Sequence, residues 1–167
     1  MDRSAATIIL LTAAVAVVTA PLLPSSTPSL DREGYAKVDD VKAAGNLLAF
    51  KSGCFLLKMV VSEEQSEAIN RGIRGDPTSR PMTHELLISS LEASMAEVEG
   101  VKIYGLSNGS YRAYLVLDTP RGLEKVDSRP SDATAVAVRA GAPILVDENL
   151  LRKEGENVCG SGQGETI

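Results

Sequence analysis

The hydrophobic rhythm of the chain changes period several times between residues 34 and 152, and that switching limits the folds open to it. Apolar residues alternate at period two in some stretches and recur at helical spacing in others. Such switching points to helices and strands combined in one folded unit. Residues 37–41 and 46–51 read as two short strands, with Ser52-Gly53 as the following turn. Residues 54–61 are nearly all apolar, which predicts a central strand buried on both faces. Ser62-Glu63-Glu64-Gln65 has the spacing of a capping box and predicts a helix over 63–71, ended among Gly72, Gly75, Asp76 and Pro77. A second helix opens in Arg80-Pro81-Met82-Thr83-His84-Glu85, with Leu87, Leu91, Met95 and Val98 as its buried stripe. Val101 and Ile103 alternate with Lys102 and Tyr104, as in a half-exposed strand. Asn108-Gly109 is a hairpin turn returning through 110–117, and Thr119-Pro120-Arg121-Gly122 turns again into 123–127. Pro130 suits the first turn of a last helix, Gly141 stops it, and 143–146 is a final short strand. The expected class is α+β: a mostly antiparallel mixed sheet packed with about three helices, preceded by one N-terminal apolar helix.

That N-terminal helix is inferred from residues 5–23, which carry no charge. A bilayer core of about 30 Å needs roughly 20 apolar residues, so the run is just long enough. It reads as a single-pass anchor with the domain outside; the alternative is a secretory signal, with the domain released after cleavage. Val18-Thr19-Ala20 is a poor cleavage site, and Pro21 would follow the cut, so the anchor is preferred. Residues 1–23 are thus the membrane or signal segment, 24–33 a Pro/Ser linker, 34–152 the folded domain and 153–167 a polar disordered tail.

The net charge of -5 lacks the basic footprint of a nucleic-acid binder, so any such partner needs a local cationic site. Cys54 sits in the apolar run and Cys159 in the Gly-rich tail. They read as one buried free thiol and one mobile thiol, without a disulfide framework. One histidine and two distant cysteines do not make a zinc site.

No phosphate loop, nucleophile elbow or HExxH motif occurs. Two helix starts resemble one another: Arg80-Pro81-Met82-Thr83-His84-Glu85 and Arg129-Pro130-Ser131-Asp132. A helix start offers unpaired N–H groups and a positive dipole end, and an arginine adds a forked donor. Arg80, Arg129, Thr83 and Ser131 are therefore candidate substrate-binding residues for a phosphate. His84, Asp132 and Glu85 are the catalytic candidates, with His84 moving protons. Asp127 and Asp132 are the candidate metal ligands, for Mg2+ or Mn2+. The plainer reading is that Thr83 and Ser131 are helix caps, Glu85 and Asp132 suit the first turn electrostatically, and His84 packs at the stripe's edge.

At these residues the sequence resembles the bifunctional nuclease family. The resemblance is carried by Arg80-Pro81-Met82-Thr83-His84-Glu85-Leu86-Leu87, by Val126-Asp127-Ser128-Arg129-Pro130-Ser131-Asp132-Ala133, and by Arg139-Ala140-Gly141-Ala142-Pro143-Ile144. The Ser62-Glu63-Glu64 start is similar too. The resemblance implies a homo-oligomeric α/β fold acting on RNA or DNA. The alternative is a non-catalytic anion- or protein-binding oligomeric module at the membrane. The apolar leader departs from many relatives and leaves the cellular role open.

Overall fold

The computed structural model describes residues 30–160. The expected apolar helix over 5–23, the linker through residue 29 and the tail over 161–167 lie outside the described residues. Among the described residues, no helix is long and apolar enough to cross a membrane.

The described residues form two sheets and four helices, an α+β arrangement in which one helix more is found than the three expected of the folded domain. Strand β1 (Tyr35–Lys37) belongs to one sheet and β2 (Asp40–Ala44) to the other, so the single strand expected over 37–41 breaks at Val38 and Asp39. Strands β3 (Leu47–Ser52) and β4 (Phe55–Val60) complete an antiparallel meander with β2. Helices α1 (Glu63–Arg74) and α2 (Thr83–Ala93) follow, then β5 (Glu97–Ser107), β6 (Ser110–Thr119) and β7 (Gly122–Ser128). Helix α3 (Pro130–Ala140) crosses back to β8 (Ile144–Asp147), which lies parallel to β5. The five-stranded mixed sheet therefore has the order β1-β8-β5-β6-β7. Helix α4 (Glu148–Glu154) leads to β9 (Glu156–Asn157), the edge strand of the four-stranded sheet β2-β3-β4-β9.

The main core lies between the sheets and includes Leu48, Phe50 and Leu57 from one, Val101 and Ile103 from the other, and Ile69 of α1. All six are completely buried, each contributing about 1.5–3 kcal/mol by its removal from water. The small residues of α3 let that helix sink into this core. Ala133, Ala135 and Ala137 are buried within the chain.

Local sequence explains most boundaries. Ser62 accepts from the Gln65 amide, and Gln65 Oε1 accepts from Ser62 N at 2.8 Å, completing the capping box. Gly72 does not end α1. It lies inside the helix, where an added Cβ would sit 2.6 Å from Val138 Cγ2 of α3, and Gly75 at φ 64° supplies the stop. The Asn108-Gly109 turn has both residues at positive φ (51° and 74°), the type I′ geometry that matches strand twist.

Strand β4 is buried on one face only: Leu57 and Met59 point inward, while Val60 is 80% exposed. The α2 stripe is turned: Ile88 and Leu91 pack on the core, whereas Leu87 is exposed and Met95 lies beyond the helix end. The spacing continued across a helix terminus, where helical periodicity has no meaning. Lys102 is 4% exposed rather than half-exposed, because β5 is the middle strand and Leu30 and Tyr35 cover that face. Its Nζ lies 4.4 Å from the Tyr35 ring centroid and 3.8 Å from Asp31.

The cysteines are joined, not free. Cys54, in the turn before β4, bonds to Cys159 with Cα atoms 5.1 Å apart. The segment 153–160, expected as tail, instead ends α4, pairs β9 with Phe55 and Leu56, and carries the disulfide. A pairing between residues so distant in sequence leaves no local signal.

Candidate functional site

Three helix starts converge. In α3, Arg129 is the N-cap, Pro130 the first helical residue, and Ser131 and Asp132 follow. In α1, Gln65 uses its amide oxygen for the capping box and donates through Nε2 to Ser131 Oγ at 2.9 Å. This hydrogen bond ties the start of α1 to the start of α3. In α2, Met82 is the N-cap, and Glu85 Oε2 accepts from Met82 N at 3.1 Å. Thr83 and Ser131 are thus the first and second residues of their helices, not the caps expected from their side chains.

Between the three starts lies a hollow of about 170 Å3, lined by Glu64, Gln65 and Ala68 of α1, His84 of α2, and Ser131, Asp132 and Ala135 of α3. His84 is half-buried. Burial is the main cause that pushes its pKa below the ordinary histidine value, and the Arg139 charge adds to it; Asp132 and Glu85 pull the other way. The imidazole is therefore neutral near pH 7 and free to accept a proton.

Arg139 was part of a recognised segment, but no role was expected of it. It is 10% exposed, bonds Glu85 Oε1 at 2.5 Å through Nε, and bonds the Ala135 carbonyl at 2.7 Å through Nη1. Its hydrogen bond holds the Glu85 carboxyl below the usual carboxylate range. Glu85 consequently clamps α2 to α3 and is not among the residues lining the hollow. Asp132, 38% exposed, accepts from Arg129 Nε at 2.5 Å, while Arg129 itself is 72% exposed. Arg80 and Thr83 are exposed and line none of this hollow.

Asp127 does not join the hollow. It pairs in register with Tyr114, on the sheet face away from α3, where Tyr104 Oη donates to it at 3.3 Å and Arg112 lies 3.8 Å away. The two carboxylates expected to share a cation are thus on different sides of the sheet. Among the described residues, no three His, Cys, Asp or Glu side chains gather to hold a metal ion. The donor set found here does not fit the Mg2+ or Mn2+ site expected of Asp127 and Asp132.

Gln65, Glu64 and Ala68 were missed as site residues. The capping box located Gln65 at a helix start, but nothing local shows which other helix that start meets.

The class defined by this fold and hollow is a small α+β domain with an imidazole and a carboxylate gathered at helix starts. The bifunctional nuclease domain profile matches residues 47–158, more than half of the chain, and the chain belongs to that family. Two proteins of Mycobacterium tuberculosis are similar, Uncharacterized protein MT1877 (strain CDC 1551 / Oshkosh) and Uncharacterized protein Rv1829 (strain H37Rv). Each is 34% identical over 109 residues, 65% of this chain and 65% of its own length. The chain thus spans 65% of the length of the curated relatives it matches.

Proposed function

We propose that the chain hydrolyses phosphodiester bonds of RNA or DNA at the hollow between the three helix starts. The observation that carries this reading is that His84 and Asp132, from different helices, line one hollow, with Arg129 held at its edge. Arg129 keeps its terminal guanidinium nitrogens for phosphate oxygens. His84 accepts the proton of an attacking water as that oxygen bonds to phosphorus, and the displaced sugar oxygen leaves with a proton from solvent. Asp132 fixes Arg129 and stabilises the imidazolium that forms. The test is incubation of the full chain with labelled single-stranded RNA and DNA. Strand cleavage is expected; intact strands after prolonged incubation at micromolar protein would overturn the reading.

One observation favours a second reading, a binding module without turnover: Arg129 is already paired with Asp132, and the net charge is -5. Oligonucleotide binding that weakens steeply with salt, without cleavage, would support it.

We also propose that residues 5–23 anchor the chain with the domain on the non-cytosolic side. The Cys54–Cys159 disulfide supports this, since such bonds persist in oxidising compartments. Homo-oligomers would use the exposed Leu86 and Leu87 of α2, and light scattering of the full chain tests for them.

A further inference from the structure

A larger cavity adjoins the hollow. Its volume is about 510 Å3, within the roughly 300–1,000 Å3 common for small-ligand sites, and Gln65 and Ser131 belong to the linings of both. Arg129, at the edge of the hollow, lies in its lining too. One wall has no folding rationale. Leu47 and Val60 sit opposite one another in the β3–β4 register, yet they are 39% and 80% exposed. Tyr111 adds a half-buried ring to the same lining. The cavity's other cation, Lys58, is paired with Glu156 at 2.5 Å, and Arg129 with Asp132. With both positive charges offset, apolar and aromatic surface decides what the cavity takes. A free polyanion is disfavoured, and a flat heteroaromatic group attached to one phosphate is favoured.

We propose that this cavity holds an unpaired nucleobase of the strand whose phosphate lies on Arg129, so that the protein selects single-stranded nucleic acid. The proposal rests on the phosphodiesterase reading of the adjoining hollow. A base within a duplex would have to leave its stack and its partner to enter, at a cost of about a few kcal/mol. An unpaired base enters with little such cost and exchanges water for Val60, Leu47 and the Tyr111 ring.

The experiment measures fluorescence anisotropy of the full, disulfide-bonded chain carrying His84→Ala, so that binding is read without turnover. The probes are a labelled hexanucleotide, the same sequence as a blunt duplex, and an abasic strand of equal length. The base-bearing single strand should bind about tenfold or more tighter than either control. Val60→Ser and Tyr111→Leu, added separately, should weaken the single strand about fivefold and leave the abasic strand unchanged, with the unfolding midpoint recorded for each. Equal affinity for the abasic strand or the duplex overturns the proposal. So does wild-type affinity in both variants, or no binding of the single strand. If strand selectivity holds while hydrolysis survives His84→Ala, the subsite stands and the catalytic reading falls. Hydrolysis lost with His84→Ala but no strand selectivity gives the reverse.

Discussion

Breaking the disulfide is the perturbation whose magnitude the fold specifies best. Cys54 and Cys159 are 105 residues apart in sequence, so the bond closes almost the whole folded domain into one loop. The chain-entropy treatment assigns a loop of that size about 4.7 kcal/mol at 25 °C, and native disulfides commonly contribute about 2–4 kcal/mol. Besides the disulfide, this end of the chain is held by the two-residue pairing of β9 with β4, the Val158 N–H donating to the Cys54 carbonyl at 2.8 Å, and the exposed Lys58–Glu156 ion pair. Against a typical domain stability of about 5–15 kcal/mol, that is a large fraction. Cys54→Ser/Cys159→Ser should therefore lower the urea midpoint of the full chain by about 1–2 M, taking a slope near 2 kcal/mol/M. Circular dichroism follows the transition, and a thiol titration of the parent chain should find no free sulfhydryl. A midpoint within about 0.3 M of the oxidised parent would refute the argument that this crosslink limits the unfolded ensemble.

Three further outcomes follow from the packing and the charges. Gly72→Val places a branched side chain where even a Cβ lies 2.6 Å from Val138 Cγ2; thermal unfolding should show a loss of about 1–3 kcal/mol. Glu85→Gln removes the charge that meets Arg139 and should cost about 1–3 kcal/mol by denaturant titration. Because Glu85's folded pKa is depressed, its contribution is complete above the ordinary carboxylate range and lost as pH falls through the lower folded value, so parent and variant should converge in acid. For activity, the base form of His84 is required, so the acid limb of kcat/KM should have its midpoint below the ordinary value of 6.5. Arg139→Gln should move that midpoint up and Asp132→Asn should move it down, as read from pH–rate profiles.

The parts of this fold legible in the sequence are those fixed within a turn or two of chain. The Ser62-to-Gln65 capping box, the Asn108-Gly109 hairpin and the Pro130-to-Gly141 helix each carry their own stereochemical signal, and each forms as expected. The errors lie where burial is decided by distant elements. Lys102 alternates like a surface residue but is covered by Leu30 and Tyr35, which come from the start of the domain. Val60 completes an apolar run yet faces outward, because only one side of β4 meets the core. The disulfide was invisible for the same reason, whereas α4 does carry a local signal, the Asp147 side chain that accepts from the Asn149 and Leu150 amides. At the candidate site, the paired Arg-Pro segments pointed to His84 and Asp132, which do line one hollow. Asp127 and Glu85 look equivalent to Asp132 in sequence, but strand pleating turns the first to the opposite face and Arg139 takes up the second.

The most direct test compares strand hydrolysis by the full chain with that of His84→Ala and Asp132→Asn, each checked for an unchanged unfolding midpoint. Proton transfer by a positioned base is worth about 10²–10⁴-fold, so the histidine variant should slow by at least about a hundredfold, and the aspartate variant should also be clearly slower. Parent-like rates in both variants would place the chemistry somewhere other than the three helix starts.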